Sequence, residues 1–340
     1  MARFDVGGQA VIEGVMMRSP RSFAVVCRRP SGEIVIKEAA WQPVWASLKF
    51  LRWPFFRGSV MLVESLVNGL DALSFAARQQ TITTPAGPVP QSLGARAADP
   101  GDEGMSKAAT YGMLAVSIAF GLALFVGVPH LLAWLLGTIF GFDSTTFTFH
   151  IVDGVIKAGM LIGYMAAISL LPDVRRVFQY HGAEHKSIAA YEAGLPLTVE
   201  NARAQSRFHP RCGTSFLLIV VGVSIVLFAV LLRGQISSAP IVDNLAKILL
   251  KLPLMLPVAG LAYELLKLSG ARYDKSGWAR TIAAPGLWLQ KITTREPDDA
   301  QLEIALISIR KTLWRERQGE TSAGTVEIFP SAADVPLPVS

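Results

Sequence analysis

Two stretches without a charged residue decide what this chain can fold into. From Ala108 to Phe142 and from Thr214 to Leu232 there is no Asp, Glu, Lys or Arg, and each can cross a hydrocarbon core that needs about 20 apolar residues. Lipid offers no partner to a backbone amide, so both segments must be helical. Two weaker segments follow the same logic. Residues 152–171 begin with Asp153 and Lys157, four apart and so able to pair at a membrane edge. Gly159 and Gly163 supply the small-xxx-small spacing that suits close helix packing. Residues 245–268 carry Lys247 and Lys251 at one end, Pro253 and Pro257 in the middle and Glu264 towards the other end, which predicts a kinked fourth span. The composition, 51% hydrophobic and 17% charged with a mean hydropathy of +0.40, places the chain in the membrane class.

The expected fold is therefore mainly α: a polytopic membrane protein of about four transmembrane helices, with a small N-terminal β-hairpin region and cytoplasmic helices. Residues 1–43 form the β-rich segment, in which Phe23–Cys27 and Ile34–Ile36 flank an Arg-Pro-Ser-Gly turn. Residues 44–78 read as an amphipathic interfacial helix, with Arg57, Glu64, Asn68, Asp71 and Arg78 forming a polar stripe that is solvated in preference to packed over a polar site between the spans. Residues 79–107, rich in Pro, Gly, Ala and Thr, read as a flexible linker. The four-span domain covers 108–268 and includes a loop, 173–213. A cytoplasmic segment with a short helix at 300–313 covers 269–317, and 318–340 is expected to be a disordered tail.

Basic residues are retained on the cytoplasmic side. The 143–151 connection has none, whereas 173–212 holds Arg175, Arg176, Lys186, Arg203, Arg207 and Arg211. An inner (plasma) membrane location with both termini and the 173–213 loop in the cytoplasm satisfies these biases. The net charge of +6 lies mostly beside apolar spans, so the lipid bilayer is the expected partner and nucleic acid is not. Cys27 and Cys212 both fall on the reducing side, where a structural disulfide does not form. The N-terminus lacks the basic start and apolar run of a cleavable signal.

The chemistry concentrates in one loop. His181-Gly182-Ala183-Glu184-His185 and His209-Pro210-Arg211-Cys212 hold three of the five histidines and one of the two cysteines. Pro172-Asp173 starts a helix and Gly194 with Pro196 stops it, so 173–193 should be one helix with His181 and His185 a turn apart on one face. The H-x-x-E-H spacing is that of inverted zincins, in which two imidazoles bind zinc and the carboxylate handles protons. A catalytic zinc takes three protein ligands and leaves a place for water. His209 is the first choice for the third, with Cys212 and Glu264 as alternatives, and Glu184 is the expected catalytic acid–base. Glu192, on the same face but two turns further along, has at most a supporting role. A divalent metal, zinc by donor type, and hydrolysis at the cytoplasmic membrane face are the expected cofactor and reaction. The alternative is a non-catalytic membrane scaffold or assembly factor whose metal closes the loop structurally. A transporter is the least supported reading, because the spans carry few polar residues at depth. The opening Gly7–Arg18 segment lacks the spacing of a nucleotide-binding loop and reads as a glycine-bounded strand, rather than a substrate loop built on Gln9, Glu13 and Arg18.

Five motifs together, GGQAVIEGVMMR from Gly7, HGAEHK from His181, HPRCGTSF from His209, AGLAYELLK from Ala259 and TTREPDD from Thr293, resemble the YqhQ-type family of uncharacterised bacterial membrane proteins. The resemblance spans roughly residues 5–315. It implies a predicted metal-dependent membrane enzyme whose label matches His181, Glu184, His185, His209 and Cys212, and it names no substrate.

Overall fold

The computed structural model describes residues 4–41, 53, 56–82, 107–319 and 324–336. Its β-rich part is an antiparallel meander of β1 (Gly7–Val11), β2 (Gly14–Arg18), β3 (Ser22–Arg28), β4 (Ile34–Ala40) and β5 (Thr325–Phe329), in that spatial order. The opening motif is thus two strands rather than one. Ile12-Glu13 forms a two-residue turn, with Val11 opposite Gly14, and Glu13 takes a φ of 51°, a left-handed value uncommon outside glycine. The Glu13 carboxylate is held there by Arg176, whose Nη2 donates to it at 2.7 Å. Gly14 leaves no room for a side chain, since a Cβ there would collide with the Val26 carbonyl.

The expectation of disorder across 318–340 fails for Thr325–Phe329. This β-branched and aromatic run pairs with β4 from Glu38↔Thr325 to Ile34↔Phe329 and covers an otherwise open sheet edge. Lys311 fastens it by reaching Glu38 and Glu327, both at 2.9 Å.

Alternation along the strands gives the sheet two apolar faces. Val15, Met17, Val26, Ile34 and Ile36 pack against α5 (Pro172–Ala193) and α10 (Asp299–Gln318). Met16, Val25, Cys27 and Val35 pack against Ala72, Phe75 and Ala76 of α1 (Phe56–Gln80). The helix expected at 300–313 runs from Asp299 to Gln318; a capping box between Asp298 and Gln301 sets its start and Gly319 its end.

The first half of α1 departs from the expected interfacial helix with a wet stripe. Arg57 pairs with Glu264 and Glu64 is buried, while Leu66 and Val67 are more than half exposed. Polar residues turn inward and the apolar face outward, the pattern of a helix set against lipid. Most of 42–55, the start of that expected helix, and 83–106 of the expected linker lie outside the described residues.

The apolar helices follow. Lys107–Leu122 (α2) and Val128–Phe140 (α3) are joined by a wide π turn at Ala123–Gly127. Next come α4 (Phe147–Ile168), α7 (Gly213–Leu231) and α8 (Pro240–Ala271), with short α6 (Val199–Arg203) in the loop and α9 (Gly277–Thr293) packed against α7 and α8. Among the described residues five segments are long and apolar enough to cross a membrane: the four expected ones and Arg57–Gln80.

Two sequence readings of this bundle are corrected. Among the described residues a Cβ at Gly159 or Gly163 would meet nothing within 4 Å, whereas one at Gly154 would collide with Ile225. The close α4–α7 approach is therefore at Gly154, five residues before Gly159. The spans also carry a buried polar network. Asp153 accepts from Lys157 at 3.1 Å and from Lys251 at 2.8 Å, and Lys157 is midway along α4 rather than at an edge.

Candidate metal centre

α5 begins where the sequence places it, with Pro172 in the first turn, and ends at Gly194 with φ 74°. One turn apart on it, His181 and His185 bring their ring centroids to 4.4 Å. Each ring is oriented by a backbone carbonyl. His181 Nδ1–H donates to Thr293 O at 2.8 Å, and His185 Nδ1–H donates to Arg207 O at 2.6 Å. Because a carbonyl only accepts, Nδ1 carries the proton and Nε2 is the ligating nitrogen of the neutral ring.

The third potential donor is Cys212, the N-cap of α7, whose Sγ accepts from Thr214 N at 3.4 Å. It stands 3.2 Å from His181 Nε2. Ligand atoms of His181, His185 and Cys212 all lie within 4.8 Å of one another. Burial raises the Cys212 thiol, but the two imidazoles overcome it and hold the group well below its ordinary value. Burial lowers His181 in turn, yet the Cys212 thiolate and Glu184 lift it to about 9. Two imidazoles with ligating Nε2 and a sulfur held as thiolate are a donor set that fits zinc.

The compact group takes in Cys212, the second choice for a third ligand, and not His209, the first. His209 is beside His185, with ring centroids 5.7 Å apart, but its Nε2 faces Glu192 at 3.2 Å. Glu192 also binds Arg211. Burial raises the Glu192 carboxyl, and His209 with Arg211 more than offset this. Glu264 is not in the donor group either: Arg57 Nε reaches it at 2.6 Å. The partner that an intramembrane carboxylate requires is a guanidinium from α1.

Glu184 is buried beneath the sheet. At Gly8 an added Cβ would stand 2.9 Å from Glu184 Oε1 and 2.8 Å from Met16 O, so the opening motif closes over the carboxyl with bare backbone. Burial raises Glu184 above the ordinary carboxyl range, while His181 and His185 pull it down. The Gly182 between the ligands is explained by packing, since a Cβ there would collide with Arg295 O.

Sequence reasoning missed the groups that orient the ligands. Gln290 of α9 accepts from His209 N at 2.8 Å and donates to His209 O at 2.8 Å and to Ser215 Oγ at 3.0 Å. That clamp fixes the Cys212 turn to α9. Arg207 donates to Thr294 Oγ1 at 2.8 Å, tying together the segments whose carbonyls accept from the two rings. The TTREPDD motif was visible, but nothing in it marks Thr293 as a partner of His181.

A family model described as "Protein of unknown function (DUF1385)" matches residues 53–315. The chain is 32% identical over 317 residues to the "Uncharacterized protein YqhQ" of Bacillus subtilis (strain 168), an alignment covering 92% of this chain and 94% of that protein. No solved structure matches it significantly.

Proposed function

The chain belongs to the DUF1385 family of proteins of unknown function, and we propose that it is a membrane-bound, zinc-dependent hydrolase whose centre faces the cytoplasm. The observation that carries this reading is the donor count. His181, His185 and Cys212 form the group, while His209 is drawn towards Glu192, and three ligands with a place for water are the pattern of catalytic zinc. When bound, zinc supplies Lewis acidity and lowers the pKa of water. The Thr293 and Arg207 carbonyls hold the two rings in their ligating tautomer. Glu184, raised by burial, takes a proton at its carboxylate and returns it to the leaving group. Gly8 keeps bulk water from that carboxyl.

Four crossings fit better than five. Strand β5 pairs with β4, and α5 and α10 pack on the same sheet, so the chain leaves and returns to one side between β4 and α5. The helices between them are α1, the α2–α3 pair and α4. An even number of crossings leaves α1 as a helix that dips beside α8 at Gly58 and rises to the sheet at Phe75. The basic 173–212 loop favours the cytoplasm for this side.

The alternative, a scaffold with a structural metal, is favoured by the nearness of His209, since a fourth donor would close the site. Elemental analysis and X-ray absorption separate the two. Wild type should hold about one zinc with three protein ligands, and His181→Ala and His185→Ala should lose it. Glu184→Gln should keep the metal and fail to complement a deletion strain. Four protein ligands, or full complementation by Glu184→Gln, would exclude the hydrolase.

A further inference from the structure

The buried polar network of the membrane bundle has its own order. On α8, Asp243, Lys247 and Lys251 follow at four-residue steps, about 6 Å of rise each, and all three are buried. They face Asp153 and Lys157 of α4, His130 of α3 and Ser144 of the connecting loop. Lys251 donates to Asp153 at 2.8 Å and to His130 Nδ1 at 2.8 Å, and His130 Nε2 donates to Asn244 at 3.0 Å. Lys247 reaches Asp243 and Ser144, both at 2.8 Å. From α7, Phe228 caps the inner end, with Lys251 and Lys157 at 5.4 and 5.7 Å from its ring centroid.

Two features set this network apart from a ladder of structural ion pairs. Asp143 of the same connecting loop also faces Lys247 and Asp243 but is exposed to solvent. With every lysine protonated the buried groups are therefore three ammoniums against two carboxylates, with Lys157 and Lys251 sharing Asp153 alone, a net positive charge in a low-dielectric interior, which is costly. Moreover, both ring nitrogens of His150 and Asp153 Oδ1 are buried without a hydrogen-bond partner among the described residues, although buried polar groups are nearly always paired. An unbalanced positive charge is relieved by an anion or by loss of a proton. The proton is the ligand that helices packed as closely as Gly154 on Ile225 exchange without separating.

We propose that this cluster is a proton-binding site inside the membrane, at which one Nζ–H bond among Lys157, Lys247 and Lys251 breaks and re-forms. Its proton passes to and from water at the bundle end opposite the metal centre. Asp243 marks that end, because its Oδ1 accepts from Ile236 and Ser237 of the α7–α8 loop at 2.6 and 3.2 Å. Its buried groups are neutral when deprotonated and carry a single positive charge when protonated, with the exposed Asp143 carboxylate outside them.

The test is nitrogen NMR of lysine-labelled full-length protein in lipid nanodiscs. Lys→Met variants assign the three signals, and if one variant fails to fold the other two assign the third by elimination. One cluster lysine should interconvert between ammonium and amine between pH about 5 and about 9, a range in which ordinary lysines stay charged. In Asp153→Asn, which makes the cluster more positive, that interconversion should move to lower pH. Three lysines that keep one form throughout, or a transition unmoved by Asp153→Asn, would overturn the proposal.

Discussion

All five histidines of the chain fall into two clusters, and the two use the imidazole in opposite ways. In the candidate metal centre His181 and His185 give Nδ1–H to backbone carbonyls. In the bundle His130 is held by the side chains of Lys251 and Asn244, and His150 by neither ring nitrogen. A carbonyl cannot change protonation state, so it fixes the tautomer and leaves Nε2 for a third party. A lysine can give up its proton, so its partner belongs to a system that changes charge. The accounting of ring nitrogens, rather than the presence of histidine, separates a ligand set from a relay.

The largest effect should come from breaking the bundle cluster. Asp153→Ala leaves Lys157 and Lys251 buried without their shared carboxylate, and removing one partner of a buried pair costs about 3–5 kcal/mol. Thermal unfolding in detergent should show that loss, while zinc content stays at the wild-type level. If zinc is lost together with stability, the two clusters are one structural unit and the contrast between them fails. Asp153→Asn keeps the shape and one acceptor, so its loss should be smaller, in the range of about 1–3 kcal/mol for a weakened buried hydrogen bond.

The same contrast marks what was legible beforehand. The α5 ligand helix was readable because Pro172, Asp173, Gly194 and the four-residue spacing are local signals. The uncharged spans were readable for the same reason. Cys212 outranked His209 only through the Gln290 clamp and the turn at the start of α7, which join distant segments. Strand β5 was hidden because Thr325–Phe329 is too short to fold except against β4. In the bundle Lys247 and Lys251 were visible one by one, but their position opposite Asp153 depends on how α4 and α8 pack. Glu264 was rightly seen to require a partner; that the partner is Arg57 depends on where α1 docks.

A pair of glycines gives the intermediate effect. Gly182→Ala pushes a methyl into Arg295 O and should destabilise by about 1–3 kcal/mol, as overpacking does. It also displaces the segment that presents Thr293 to His181, so zinc affinity should fall by about 10–100-fold, as when a ligand's orienting partner is lost. Gly159→Ala has open space around it and should be neutral or stabilise by up to about 1 kcal/mol. Zinc competition with a chromophoric chelator and thermal unfolding read both quantities. Equal behaviour of the two variants would show that α5 does not need its close approach to the 294–297 segment.

The smallest effect is a proton count. Without metal, burial lowers His181, but the Cys212 thiolate and Glu184 raise it to about 9, so at pH 7 that ring is protonated and Cys212 is already a thiolate. Zinc requires the neutral ring, and its binding at pH 7 should therefore release about one proton from this pair. The sign follows from the raised value. Below pH about 9 the proton competes with zinc, so apparent affinity should fall by about tenfold per unit of decreasing pH, and the slope should flatten above it. Calorimetry in buffers of different ionisation enthalpy measures the release. Cys212→Ser removes the thiolate that holds the proton on His181 and should reduce the count, whereas Lys251→Met alters only the bundle and should leave it unchanged. A release that follows Lys251 instead would mean that the two histidine clusters share a proton across the length of α7.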